Sequence, residues 1–284
     1  MDLPMTFELL VSCVQKDPHE LAEIMNIASD AVIVSQLEGS TSSEEFDYNG
    51  NRIKVFRSES KGVGINRNTC IEMSSADIIL FADEDIVYDK GYADKVLKEF
   101  ADHPEADVLL FNMRVCEERR TYWNDSYKPV KWYNCGRYPA YSIAVRASKL
   151  KSLGIKFSLL FGGGARFSNG EDSLFLKDCL DKGLKMFAVP GVLGEEVPRP
   201  STWFNGYTDK FFYDRGVLYH YLYGKSAWLW GIRWLVKMKK EYEPEYTFSR
   251  ARKMLFLGIR ERGSTKTGKN RRFENGSIKT QDDK

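Results

Sequence analysis

Histidine is scarce in this 284-residue chain: His19, His103 and His220 lie far apart, and their spacing offers no His-rich metal cluster. The five cysteines (Cys13, Cys70, Cys116, Cys135 and Cys179) are odd in number and hold no Cys-x-x-Cys pair. That pattern argues against a disulfide framework or a zinc site and for reduced thiols in a cytoplasm. Residues 1–6 lack a basic stretch followed by an apolar run, so no signal peptide is expected. A dinucleotide fingerprint is also missing. The nearest string, Lys61-Gly62-Val63-Gly64-Ile65-Asn66-Arg67-Asn68, has no third glycine and does not follow the first strand.

What is present suits a globular fold. Apolar residues make up 43% of the chain and charged ones 29%, far from a disordered composition. The net charge of +2 hides an asymmetry: residues 225–284 hold 16 Lys/Arg against 7 Asp/Glu, and residues 1–224 hold 26 against 33. An acidic body with a basic tail suits contact with something anionic, such as lipid headgroups or nucleic acid; a solvated tail is the alternative.

The order of elements alternates. Phe7–Val14 is an apolar strand; Asp17-Pro18-His19-Glu20 then offers an N-cap, a proline at the first helical position and an acid three residues on. Ala31–Ser35 is a second strand, residues 37–52 a polar exposed excursion, and Ile53–Arg57 a third strand. Ile65–Ser75 follows as a helix with Ile65, Thr69, Met73 and Ala76 along one side. Next comes the run Asp77–Asp85, greasy and then abruptly acidic at Asp83, Glu84 and Asp85. A helix marked by Tyr92, Val96, Leu97 and Phe100 and a strand over Asp107–Met113 continue the alternation, which argues for a parallel α/β sheet. Later come a strand over Tyr141–Arg146, a helix over Ser148–Leu153 stopped by Gly154, a helix over Asp172–Asp181, and a last strand over Lys185–Val189.

Residues 217–236 contain three of the six tryptophans, with Lys225 and Arg233 inside the run. A spanning helix needs about 20 mostly apolar residues, and the charges and glycines here argue against one. Two placements fit: a helix in the membrane interface, or a helix packed on the catalytic body. Residues 263–284 are polar and expected to be disordered.

Three segments carry the candidate chemistry. Asp83 and Asp85 close a buried strand at its carboxyl end, where open α/β sheets hold ligands. In extended chain, residues two apart face one side, so both could serve one ion such as Mg2+, which takes one or two carboxylates and leaves other positions to phosphates. Gly162–Asp172 is a mobile glycine-rich loop that delivers Glu171 and Asp172 to a helix start, one to cap and one to serve as a general base. Lys61 and Arg67 are placed to approach a phosphate or nucleotide from a helix start.

These landmarks in this order resemble glycosyltransferase family 2, inverting enzymes of the GT-A (nucleotide-diphospho-sugar transferase) fold. The resemblance runs from Phe7 to Gly216 through Gly62–Asn68, Ala82–Asp85 and Asn169–Asp172. The segments Ser201–Tyr207 and Phe211–Gly216 are similar to those of bacterial enzymes that build surface polysaccharides. The resemblance implies an α/β GT-A catalytic domain over residues 1–216; composition adds a helical aromatic and basic appendage over 217–262 and a polar tail over 263–284. It implies that Asp83 lies near the nucleotide ribose and that Asp85, with Asp83, binds Mg2+ or Mn2+ on the donor diphosphate. Asp172 would be the base, Glu171 would orient the acceptor, and Ser12 and Arg67 would line the nucleotide pocket. Gln36 stands where many relatives have an acid against the nucleobase. The donor implied is a nucleotide-diphospho-sugar such as a UDP-sugar, and the acceptor a glycan or glycolipid hydroxyl. The implied place is the cytoplasm, peripheral to a membrane, with no nucleic-acid partner. Trp203, Phe204 and Tyr207 are candidates for a sugar- or lipid-facing wall or for core aromatics. Two other readings remain: a nucleotidyltransferase of related fold, and a non-catalytic basic-tailed module that binds membrane or RNA.

Overall fold

The computed structural model describes residues 5–36, 41–59, 61–198, 204, 206–243 and 245–261, with the backbone alone for 272–274 and 277–279. The chain divides into two compact units, Met1–Ala165 with Glu171–Pro200, and Arg166–Gly170 with Ser201–Lys284.

The first unit is a mixed α/β structure. Its strands are β1 (Phe7–Val14), β2 (Ala31–Gln36), β3 (Ser42–Tyr48), β4 (Asn51–Ser58), β5 (Ile78–Asp83), β6 (Ile86–Tyr88), β7 (Val108–Arg114), β8 (Lys128–Pro129), β9 (Ile143–Arg146) and β10 (Met186–Glu196). They form one sheet in the order β3-β4-β2-β1-β5-β9-β7-β10-β6, with β8 paired to β10. The central strands β4, β2, β1 and β5 run parallel, and β10 runs parallel to β7. The short β9 lies antiparallel between β5 and β7.

The near-continuous apolar runs of β1, β2 and β5 follow from burial on both faces. Leu9, Val11, Ile33 and Leu80 belong to one core, which is covered by Leu21 and Ala22 of α1 (Pro18–Ile24). Tyr92, Val96 and Phe100, all from helix Tyr92–Asp102, complete that layer. Leu10, Val32, Ile79 and Phe81 belong to the other, under Cys70 and Ile71 of α2 (Val63–Met73). This second layer also holds Leu150 of α4 (Ala147–Leu153) and Phe175 of α5 (Glu171–Asp181), whereas helix Tyr92–Asp102, α3, belongs to the first. Successive strand residues thus serve opposite layers.

The first N-cap forms as expected: Asp17 Oδ1 accepts from His19 N at 2.9 Å and Glu20 N at 3.0 Å. Gly154, at φ 59°, ends α4. Three expectations need correction. The polar excursion over 37–52 contains β3, joined to β4 by Asn49 (φ 54°) and Gly50 (φ 81°), the positive-φ pair of a two-residue hairpin. Residues 37–40 lie outside the described residues. The last strand runs on from Val189 to Glu196, through register shifts after Ala188 and Val192. The buried side of α2 is Gly64, Asn66, Arg67, Cys70 and Ile71, while Ile65, Thr69 and Met73 are only half-buried. This helix turns an arginine and an asparagine inward, which apolar periodicity does not report.

The second unit is helical: α6 (Asp209–Tyr223), α7 (Ala227–Lys237), α8 (Lys239–Tyr242) and α9 (Phe248–Ile259). Phe212, Leu235, Tyr242, Tyr246, Ala251 and Leu255 form its core. Asp209 caps its interior by accepting from Arg250 Nε at 2.8 Å and from the Tyr246 hydroxyl. A Cβ on Gly216 would sit 2.0 Å from Leu255 O, and one on Gly258 2.1 Å from Tyr213 O, so glycine is what lets α6 and α9 cross this closely. Helix α6 runs across the Gly216 boundary drawn from the sequence. Tyr207 packs on Phe211 and Phe212, and Phe204 on Tyr207 and Phe211, within this aromatic group. Trp203 lies outside the described residues. So does the tail 263–284, apart from two short antiparallel strands, Arg272–Glu274 and Ser277–Lys279, whose backbone alone is described. No helix among the described residues is long and apolar enough to cross a membrane.

Candidate active site

Chain order and strand order diverge at β1: β2 lies on one side of it and β5 on the other. That reversal opens a crevice beyond the carboxyl ends of β1 and β5, the place where sheets of this kind take ligands. Ser12 and Asp83 are register partners at that edge.

Arg67 organises the crevice. Its Nη2 donates to Asp83 Oδ1 at 2.8 Å, and its Nη1 donates to Asp172 Oδ1 at 2.7 Å and Glu171 Oε1 at 3.2 Å. The guanidinium side chain is 4% exposed and lies 5.2 Å from the centroid of Phe157, which stacks on Phe175. Three carboxylates raise the arginine's affinity for its proton against the burial that would lower it. Asp172 Oδ2 accepts from Ala140 N at 3.0 Å, which fixes the carboxylate from its other side. Burial pushes the Asp172 carboxyl up to about 7; Arg67 pulls the other way, and Glu171 and Asp83 add to the rise. Fully ionised, the four groups would carry two surplus negative charges. A proton on Asp172 or a bound cation relieves that surplus.

Glycines shape the entry to α2. Val63 N donates to Gly163 O at 3.0 Å, so the Gly162–Gly164 loop is tied to the helix start rather than hanging as the mobile loop expected from sequence. A Cβ on Gly162 would meet Glu171 Cδ at 2.8 Å, and one on Gly64 would meet Ser158 O at 2.5 Å. Both contacts need glycine. Gln36 Oε1 accepts from Gly62 N at 3.2 Å, so the side chain expected at a nucleobase also fixes this turn. Lys61 is exposed beside it. Buried polar atoms without a hydrogen-bond partner include Ser12 Oγ on β1 and Asn66 Oδ1 and Arg67 Nε on α2.

The acidic triplet divides its work. Strand β5 ends at Asp83, and Glu84 and Asp85 form the turn into β6, so the alternation that would put Asp83 and Asp85 on one side of a strand does not apply. Glu84 Oε2 accepts from Val14 N at 2.9 Å and closes the end of β1. Asp85 borders a cavity of about 170 Å³ that it shares with Lys16, Ile24, Glu84 and Val197. The structure therefore brings Arg67, Asp83, Glu171 and Asp172 into direct contact, and sets Asp85 on the neighbouring turn. Among the described residues no group of three or more His, Cys, Asp or Glu could hold a metal ion. One or two carboxylates are still what an ion needs when waters and phosphates complete its shell. Sequence reasoning missed Ala140 N, the floor at Phe157 and the strand-end role of Glu84, none of which a local pattern announces.

The model of glycosyl transferase family 2 matches residues 40–156. No curated protein matches the chain in sequence. Among solved structures the chain is similar to S. aureus TarS 1-349 in complex with UDP-GlcNAc, with a TM-score of 0.61 and 16% identity over 85% of this chain and 74% of that one. The same TarS fragment in complex with UDP gives a TM-score of 0.60 and 13% identity over 98% and 96%. Against a longer TarS structure the TM-score is 0.54 at 17% identity, and the chain spans 39% of its length. At these identities the likeness is one of fold, and it agrees with a GT-A-like sheet. The family likeness thus covers residues 40–156, about two-fifths of the chain.

Proposed function

We propose that this chain moves a sugar from a nucleotide-diphospho-sugar, a UDP-sugar in the first instance, to a hydroxyl of a glycan or glycolipid acceptor with inversion at the anomeric carbon. The observation that carries the proposal is the convergence of Asp83, from the switch-point strand, with Glu171 and Asp172, from the start of α5, on the single guanidinium of Arg67. The UDP-GlcNAc in the TarS complex supports the choice of donor class.

Asp172 takes the proton of the attacking hydroxyl. Its carboxylate is held by Arg67 and by Ala140 N, and a base whose pKa lies near 7 is matched to work near neutrality. Glu171, one residue away in the first turn of α5, orients the acceptor; the helix start favours both negative charges. A single base on one side of the sugar yields inversion, by the geometric logic that separates the glycosidase classes. Asp83 and Ser12, at the ends of β5 and β1, face the ribose and diphosphate of the donor, and Gln36 stands by the nucleobase. Asp85, with Asp83, would hold a Mg2+ or Mn2+ ion, which would supply Lewis-acid neutralisation of the leaving diphosphate. Arg67 and the electrostatic frame around it stay fixed while charge moves.

The test is release of a nucleoside diphosphate from a panel of sugar nucleotides in the presence of Mg2+ or Mn2+, with acceptor glycans added. Turnover with at least one donor is the expected result. A chain that shows no melting-temperature rise with any sugar nucleotide and no release would overturn the reading.

A further inference from the structure

The second unit carries a surface that sugar transfer does not explain. Helix α6 ends at Gly224 (φ 51°, ψ −124°), and α7 begins three residues later in a new direction. The inner side of α7 is Ala227, Gly231 and Leu235, spaced by four, and a Cβ on Gly231 would lie 2.6 Å from Leu255. Trp230 stacks on Tyr223 at 5.1 Å, and Trp234 packs near Phe212 at 6.2 Å. Trp228, Leu229 and Val236 point the other way and are 57%, 55% and 59% exposed. At 100° per residue these three fall within about a quarter-turn of the helix, with half-buried Ile232 between them. Arg233 and Lys237, both exposed, border that stripe on one side, and exposed Lys225 precedes it by one turn.

Single exposed apolar residues are ordinary, but a stripe of three large ones on one short helix marks a contact surface. Its chemistry selects the occupant. Residues 225–240 hold five Lys/Arg and no Asp or Glu, so the segment that carries the stripe is cationic. An indole at the edge of an apolar stripe with a cationic flank is the composition of a helix that lies in the headgroup region of an anionic bilayer. With eleven residues, α7 is about 16 Å long, half of what a span requires. A helix of that length can lie along a bilayer surface but is too short to cross it.

We propose that the Trp228–Leu229–Val236 face of α7 is a docking surface for an anionic lipid bilayer, with Lys225, Arg233 and Lys237 contacting the headgroups. This proposal does not rest on the catalytic reading, because none of these residues belongs to the Arg67 cluster.

Cosedimentation of the full chain with vesicles of phosphatidylcholine alone, or of phosphatidylcholine and phosphatidylglycerol in equal parts, tests it. The chain is expected to sediment with the anionic vesicles at low salt and to be released by high salt. W228S/L229S is expected to lower partitioning by about tenfold or more, and R233E/K237E by at least a similar factor. Both variants change exposed positions and are expected to keep the parent melting temperature. Absence of binding to the anionic vesicles, or unchanged binding by W228S/L229S, overturns the proposal. So does a dimer in sedimentation equilibrium that W228S/L229S dissolves without any vesicle binding, which would assign the face to a second copy of the chain.

Discussion

Arg67 Nη1 stands 2.7 Å from Asp172 Oδ1 while Nη2 of the same guanidinium stands 2.8 Å from Asp83 Oδ1. One buried cation therefore links the end of strand β5 to the first turn of helix α5, two elements that are far apart in sequence. Removing it leaves three carboxylates facing each other with little water between them. Arg67→Ala is expected to cost about 3–5 kcal/mol of stability, measured by urea unfolding near neutral pH. The cost is expected to shrink at about pH 5, where protons replace the missing charge. Arg67→Lys keeps the charge but loses the two-armed reach, so it is expected to fall between the parent and Arg67→Ala. A cost for Arg67→Ala that did not change with pH would mean that the guanidinium acts there by packing alone.

Asp172→Asn keeps the size of the side chain, and its amide oxygen can still accept from Ala140 N. It removes the proton acceptor. Transfer is expected to drop by about 10²–10⁴-fold, while the melting-temperature rise caused by donor is largely retained. Normal turnover by this variant would remove Asp172 from the role of base.

The Asp172 carboxyl, raised to about 7 chiefly by burial, sets the sign of the pH dependence. A base works only when deprotonated, so kcat/KM is expected to rise with pH through about 7 and to level off above it. The same shift acts on stability with the opposite slope. The folded state holds the proton over a window where the unfolded chain, with an ordinary aspartate, has lost it. Between roughly pH 4 and pH 7 this site therefore favours the folded state less as pH rises. A rate that fell across neutrality would point to a catalytic acid in place of a base.

Much of the scaffold was legible because it obeys local rules. The run Phe7–Val14 is apolar throughout and becomes a doubly covered strand; Asp17-Pro18-His19-Glu20 has cap chemistry and caps a helix. The strand Ser42–Tyr48 was not legible from hydrophobicity because it lies at the sheet edge and is exposed at five of its seven positions. The Asn49-Gly50 pair beside it was the usable signal. The run 217–236 hides its break at Gly224 for a related reason: apolar residues continue on both sides of the turn. In the site, the acids announced themselves by position at a strand end and a helix start. The grouping around Arg67 did not, because it depends on the buried side of α2, which is chosen by what α2 packs against. The role of Glu84 was obscured by its neighbours Asp83 and Asp85, which suggested a single acidic ligand set.

Two glycines near the site make a contrast that tests the packing at the start of α2. A Cβ at position 64 would sit 2.5 Å from the backbone oxygen of Ser158, which cannot move aside without shifting the chain, whereas a Cβ at position 163 would meet nothing within 4 Å. Gly64→Ala is expected to destabilise by about 1–3 kcal/mol and to weaken donor binding, since α2 carries Arg67. Gly163→Ala is expected to change stability by less than about 0.5 kcal/mol. Chemical denaturation and donor-induced melting shifts on both variants check this. Equal costs would mean that the loop and the helix start move together freely.

The surplus negative charge of the cluster leads to the last expectation. Arg67 offsets one of three carboxylates, and the neighbouring turn adds Glu84 and Asp85. A donor diphosphate brought to this edge adds further negative charge, which a divalent ion would have to balance. Chelation with EDTA is therefore expected to abolish donor-induced thermal stabilisation as well as turnover, with recovery on adding excess Mn2+ or Mg2+. Asp85→Asn is expected to raise the metal concentration needed for half-maximal activity by about tenfold or more while leaving the melting temperature of the unliganded chain nearly unchanged. Full donor binding and turnover in EDTA would show that the fixed cations and backbone dipoles of the crevice suffice for the diphosphate, and would leave Asp85 without the ligand role assigned to it.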